Sequence, residues 1–372
     1  MKTDDHQHDD HAHDDHDHAH DNHDDHDDHD HGSGVWGWLG SVFHFHGHGD
    51  ANQSLASDAA FAANEEGIRT IWLALGALTL TTVIQAAIVV FSGSVALLAD
   101  TAHNLVDALN SIPLLIAFYL ARRPANRRYT YGFGKAEDVA GIFIVLSITI
   151  SAVFIFYESI QKLFNPAPIQ QVGWVAAAAV IGFLGNEAVA LLQIRTGRRI
   201  GSAALVADGL HARTDGLGSL AVLIAAGGSA LGFPIVDPLV GILIGVTILF
   251  ITRNAIVTMW YRLMDAVDPA LVERIERQAR AVAGVGNVHD VRVRWVGHRL
   301  YAELHVEVDE DLSTRASHAI TEALRHALLH DQPQLSLVNV HVDPCGHSGS
   351  DPHAALAHHD QQAIIEPVAV RP

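Results

Sequence analysis

Residues 93–109 read GSVALLADTAHNLVDAL, and residues 201–217 read GSAALVADGLHARTDGL. Both fit G-S-x-A-L-x-A-D-x-x-H-x-x-x-D-x-L, with nine identities in 17 positions. Each copy sets a His and an Asp at i and i+4, which is one face of a helix. The pairs are His103 with Asp107 and His211 with Asp215. Because both copies lie among apolar sequence, their surroundings decide the fold.

Charge-free apolar stretches run through residues 70–99, 139–157, 169–186, 216–236 and 238–252. A helix that crosses a bilayer needs ~20 apolar residues. The first stretch breaks at Ser92-Gly93-Ser94 and enters a second helix that runs to about Ala121. The fifth helix begins near Gly201 and stops at Gly232-Phe233-Pro234, before the sixth. The pattern predicts six spans, with the two copies in the second and the fifth. Those two cross in opposite directions, so the copies form an inverted 3+3 repeat, the architecture that places a transport site near the midplane. Arg122, Arg123, Arg127, Arg128 and Lys135 follow the second span, Arg195, Arg198 and Arg199 the fourth, and Arg262 the sixth. The opposite loops hold only Lys162. Cytoplasmic loops carry the excess of Lys and Arg, so both termini are expected in the cytoplasm and the protein in the cell's inner membrane.

Composition agrees. Charged residues are 17% of the chain, against roughly 25% in soluble domains, and the formal net charge is −19. Of that, −12 falls in the first 31 residues, a run of 13 Asp and 11 His that cannot build a core. It lacks the basic start and apolar run of a secretory signal. An acidic chain is a poor partner for phosphates, so nucleic acid is excluded as a partner. One cysteine, Cys345, rules out an internal disulfide. The expected organisation is a disordered His/Asp-rich cytoplasmic tail (1–62), a six-helix membrane domain (63–262), a cytoplasmic α+β domain (263–345) and a flexible end (346–372).

Ionisable residues inside a span are costly, face the protein interior and mark an ion path. Facing helices would converge His103, Asp107, His211 and Asp215 into two imidazoles and two carboxylates. That tetrahedral N/O set suits Zn²⁺ first, and admits Co²⁺, Ni²⁺ or Fe²⁺. Asp100 and Asp208 lie one turn earlier. They read either as carboxylates just outside the ligand set or as helix-packing groups, and the sequence leaves both open.

Beyond the last span, residues 269–282 have helical periodicity, 288–295 and 300–308 alternate like half-buried strands, Ser313 caps a second helix, and 335–342 make a third strand. The order α-β-β-α-β predicts helices on one face of a small sheet. His289 opens the first strand, His305 lies in the second, and His341-x-Asp343 ends the third, spacing that projects side chains to one face.

Six spans, paired HxxxD motifs in the second and fifth, YTYGFGKAED at residues 129–138 and the α-β-β-α-β domain resemble the cation diffusion facilitator family. The resemblance covers roughly residues 69–343, nearly three-quarters of the chain. It implies a homodimeric secondary transporter that exports divalent metal from the cytosol in exchange for protons, with the His/Asp quartet as the zinc-preferring version of its site. It further implies a binuclear zinc site at His289, His305, His318, His341 and Asp343, and a hinge charge pair of Lys135 with Asp265. A second loop site found in some members aligns here with Asn126, Tyr129 and Phe133, which are poor ligands.

Among functions, a primary pump is opposed by the absence of G-x-x-x-x-G-K-[ST]. A membrane metallohydrolase is opposed by the absence of H-E-x-x-H and of any separate base beside the quartet. A membrane-bound metal sensor or buffer would use the same ligands without turnover, and so would a transporter whose main substrate is Co²⁺, Ni²⁺, Fe²⁺ or Cd²⁺.

Overall fold

The structure, a computed structural model, describes residues 54–92, 101, 104–105, 109–164, 169 and 171–345. Six helices come first: α1 (Ser54–Ser92), α2 (Ser111–Ala121), α3 (Lys135–Phe164), α4 (Val172–Ile200), α5 (Ala203–Ala230) and α6 (Val236–Leu263). The α+β unit follows as α7 (Pro269–Arg280), β1 (Asn287–Val296), β2 (Arg299–Asp309), α8 (Thr314–Asp331) and β3 (Leu335–Cys345).

Among the described residues, four helices are long and apolar enough to cross a membrane: Ala59–Ser92, Lys135–Phe164, Val172–Ile200 and Val236–Leu263. The other two predicted spans differ for physical reasons. Helix α5 has the length, 28 residues, but carries Asp208, His211, Arg213 and Asp215. Of the second span, residues 101 and 104–105 and the end, which includes α2, are described. The start of α1 departs from expectation: the helix begins at Ser54, inside the stretch assigned to the tail. That stretch contains Ala56, Ala59, Ala60 and Ala62, and Ala is the strongest helix former, so the helix extends past its apolar segment.

The membrane core gathers Ile68 and Ile71 of α1, Leu114 and Phe118 of α2, Ile144 and Ile148 of α3, Leu205 of α5, and Ile248 and Met259 of α6. The outer faces stay apolar, with Val90, Phe91, Phe143, Val153, Leu243 and Phe250 exposed. A soluble monomer rarely shows contiguous apolar surface of that kind; lipid covers it at no cost. Close helix approach uses small residues, as membrane helices do. At Gly209 of α5, a Cβ would lie 2.7 Å from Cγ1 of Ile194 on α4.

In the α+β unit, Asp268 caps α7 by accepting from Ala270 N ahead of Pro269, and Ser313 caps α8 by accepting from Ala316 N. The sheet order is β1-β2-β3, with β1 and β2 antiparallel and β2 and β3 parallel. Leu300, Ala302, Leu304, Val306 and Val308 point inward from β2, against Ile275, Leu324 and Leu328 of the helices. The intervening residues of β2 therefore lie on the opposite face, and His305 is one of them.

Candidate metal sites

Helix α5 begins at Ser202, whose side chain accepts from Leu205 N. One turn further, Asp208 is buried, and its Oδ2 accepts from Ser111 Oγ of α2 (2.7 Å) and from Gln193 Nε2 of α4 (2.5 Å). His211 is also buried. Its Nδ1 lies 3.8 Å from Asp215 Oδ1, one turn on along the same helix. Its Nε2 lies 3.0 Å from Nδ2 of Asn110, which also donates to Ser147 Oγ of α3 (3.0 Å).

Asp215 opens on a small polar cavity that it lines with Thr81, Thr82, Gln85, Asn104 and Asn186. The cavity holds about 10 Å³, the scale of a single water. Asn104, the neighbour of His103 in sequence, donates to Gln85 Oε1 (2.9 Å), and Gln85 donates to the Ala178 carbonyl (3.2 Å). His103, Asp107 and Asp100 lie outside the described residues, so the structure places one half of the expected quartet.

Arg213 lies between His211 and Asp215 in sequence but turns to another face, where its Nε and Nη2 reach Glu187 of α4 at 3.2 and 2.7 Å. Two-pronged pairing of this kind is how a charge is carried at membrane depth. The sequence reading missed it, although an Arg inside an apolar span is itself a signal that a partner exists.

In the sheet, register does the assembling. His289 of β1 stands opposite His305 of β2, and His305 stands beside His341 of β3. Asp343 sits at the centre with a side chain only 5% exposed. Its Oδ2 takes His289 Nε2 (3.3 Å) and His305 Nδ1 (3.1 Å), and its Oδ1 takes His341 Nε2 (3.2 Å). One carboxylate thus addresses imidazoles through both oxygens, a donor set that suits Zn²⁺. Asp290, at the bulge in β1, joins His289 and His305 in a second close group. That residue was not expected; its adjacency to His289 was the available sign. His318 is exposed on α8 and is not part of either group. It lines an open groove of about 560 Å³ with Thr321, Glu322, Arg325 and His341.

The loop positions aligned with the family's second site have structural partners instead. Asn126 Oδ1 accepts from the backbone of Arg128 and Tyr129, and the Tyr129 and Phe133 rings lie 4.5 Å apart.

At the junction of the two units, Lys135 Nζ lies 3.0 Å from Asp265 Oδ1 and 3.6 Å from Asp138. Beside it the turn between β1 and β2 enters the membrane unit. Gly297 has φ +63, and a Cβ there would meet the Gly134 carbonyl at 2.6 Å. His298 follows, buried at 3%, with Nδ1 2.8 Å from Glu137 Oε2 and Nε2 3.4 Å from the Ala60 carbonyl. Its ring stacks on Phe118 at 5.6 Å. Arg262 donates to the Gly297 and Gly201 carbonyls (2.8 and 2.7 Å) and lies over Trp295 at 4.2 Å. The sequence had assigned nothing to His298.

Apolar membrane helices joined to a small α+β unit, with imidazole and carboxylate donors in both, define a membrane protein that handles metal cations. The family model for the cation efflux transmembrane domain matches residues 71–264, and that for the cation efflux protein cytoplasmic domain matches residues 267–345. The chain belongs to the cation efflux, or cation diffusion facilitator, family. It is 51% identical over 322 residues to "Probable cation efflux system protein MT2084" of Mycobacterium tuberculosis, covering 87% of this chain and 96% of that one. It is 33% identical to "Cation-efflux pump FieF" of Serratia proteamaculans, over 68% of this chain and 85% of that one. It is 30% identical to "Metal tolerance protein 2" of Oryza sativa, over 75% and 78%.

Proposed function

We propose that this protein is a secondary transporter that exports Zn²⁺ from the cytosol across the inner membrane in exchange for protons. The observation that carries the reading is the buried His211 with Asp215 one turn further along, within a motif that the sequence repeats at His103 and Asp107. Two imidazoles and two carboxylates would take Zn²⁺ in preference to Cd²⁺, whose larger radius is less tied to compact tetrahedral geometry. Co²⁺, Ni²⁺ and Fe²⁺ remain chemically competent substrates. Imidazole and carboxylate shed protons to bind metal, so an inward proton gradient drives the cation outward as the ligands return protonated. The two halves of the repeat rock to open the site to each side in turn.

His289, His305, His341 and Asp343 would hold a resident zinc in the cytoplasmic unit. Such an ion would tie the three strands together and steady the domain that carries dimer contacts. His318 lies outside that set, in the groove it lines with His341. The Asp/His-rich tail would add weak capture of metal at the cytoplasmic mouth, and both termini would be cytoplasmic.

The test is flux in proteoliposomes holding the full chain, with Zn²⁺, Co²⁺, Ni²⁺, Cd²⁺, Fe²⁺ and Mn²⁺ compared with and without a pH gradient. Zn²⁺ flux that rises with the gradient is expected. Binding without net flux would make the protein a sensor or buffer, and flux indifferent to the gradient would remove the proton exchange.

A further inference from the structure

We propose that Asn110, anchored by Ser147, is the positioning residue that turns the His211 imidazole toward the transported metal. The proposal rests on the reading of His211 as a ligand. An imidazole on a metal through one nitrogen is free to rotate unless the other nitrogen is held, and such holding groups are worth about 10–100-fold in metal affinity or activity. In the cytoplasmic cluster half-exposed histidines share a carboxylate and reach solvent. His211 is buried within the membrane unit, so a protein group must do the holding.

The geometry supplies it. Nε2 of His211 is 3.0 Å from Nδ2 of Asn110, so the opposite ring edge, Nδ1, faces Asp215 Oδ1 at 3.8 Å. Two ligands about 2.0–2.1 Å from a tetrahedral Zn²⁺ sit roughly 3.4 Å apart, so a small movement brings both to one ion. Asn110 is itself fixed by Ser147 on α3. The chain Ser147–Asn110–His211 joins three helices, and Ser111, the next residue, grips Asp208 of α5 one turn away.

Residue type matters as much as distance. A side-chain amide offers both N–H and oxygen, and a hydroxyl both donates and accepts. By turning over, the pair Asn110 and Ser147 can meet Nε2 either as acceptor or as N–H, so the ring stays held whether or not Nδ1 on its other edge is on the metal. A carboxylate would do only one of these, would add charge at membrane depth, and would raise ligand basicity. A neutral amide orients the ring and still lets the cation leave.

The experiment measures Zn²⁺ uptake by the full chain in proteoliposomes, with Vmax and KM fitted separately. Asn110→Leu keeps the branching at Cγ and removes the hydrogen bond; KM for Zn²⁺ is expected to rise about 10–100-fold with a smaller change in Vmax. Asn110→Gln keeps the amide and is expected to fall between Leu and wild type. Ser147→Ala should raise KM by about 2–10-fold, the worth of one neutral hydrogen bond, and it carries the test alone if Asn110→Leu does not insert. An unchanged KM in Asn110→Leu or in Ser147→Ala overturns the proposal, as does a Gln variant no better than Leu. His211→Ala separates the two readings: normal flux there removes the ligand assignment itself, whereas lost flux there beside an unchanged KM in Asn110→Leu refutes only the role of Asn110.

Discussion

His211 and Asp215 stand one turn apart on a single helix, while His289, His305, His341 and Asp343 come from three strands that must pair first. The first set is assembled by local geometry and held by neighbours on other helices. The second is assembled by register around one buried carboxylate, with His341 exposed and His289 and His305 partly so. The difference teaches where each set is vulnerable. A helix-borne pair persists as long as α5 is helical, so its failure modes are the ligands themselves and the residues that orient them. A cross-strand cluster depends on the sheet, and loss of its hub releases three imidazoles at once.

The largest expected effect tests the intramembrane side. Asp215→Ala should lower Zn²⁺ flux by more than the ~10–100-fold that loss of an orienting partner brings, since it removes a proposed ligand outright. The protein should still insert and elute at its normal size, because Asp215 lines a cavity and is not packed in the core. Flux near wild type in a correctly inserted Asp215→Ala would put the transport site elsewhere.

Next in size is the point where the two regions meet. His298 and Glu137 are 3% and 1% exposed, and removing one member of such a pair leaves the other buried without its partner, at a cost of about 3–5 kcal/mol. His298→Ala should lower the thermal unfolding midpoint and admit protease at residues 264–268, between α6 and α7. Adding Glu137→Gln should recover part of that loss. If the double variant unfolds no later than the single, the two side chains are not coupled.

These contrasts also explain what could be read in advance. The His–Asp pairs were visible because the motif spans five residues, and the chain states it twice. The sheet residues, although 54 positions separate His289 from Asp343, were named through the family resemblance; the strands' period of two added only that His289, His305, His341 and Asp343 could share a face. His298 and Glu137 are 161 positions apart, and neither belongs to a pattern; only the docking of the β1–β2 turn brings them together. Asn110 and Ser147 are invisible for the same reason, since an amide and a hydroxyl in apolar spans have no period to betray a partner. The helix start at Ser54 was not read because the apolar signal begins near residue 70, whereas the turns before it are held by the helix propensity of alanine.

On the cytoplasmic side, Asp343→Ala should abolish the rise in thermal midpoint that Zn²⁺ gives the full chain, because ligand-linked stabilisation vanishes with its site. Flux should fall only severalfold. Asp215→Ala should retain the thermal response and lose the flux. Should both variants lose both properties, the two ligand sets behave as one unit and the contrast between them fails.

The smallest effect is expected at Lys135 and Asp265. They lie 3.0 Å apart, but their side chains are 45% and 43% exposed, and pairs of that kind contribute ~0–1 kcal/mol. Lys135 also donates to the Arg262 carbonyl at 3.2 Å and lies near Asp138, so its removal disturbs more than one contact. Lys135→Ala is therefore expected to loosen the proposed dimer slightly and lower flux modestly. The exchange Lys135→Asp with Asp265→Lys should restore only part of both, because the new carboxylate at 135 would face Asp138 and could no longer donate to Arg262. A double-mutant cycle on dimer dissociation reads the coupling directly. A coupling well above 1 kcal/mol would mean that dimerisation buries this pair. A swap no better than the worse single variant would show that the two charges act independently, leaving His298 and Arg262 among the contacts that join the α+β unit to the membrane helices.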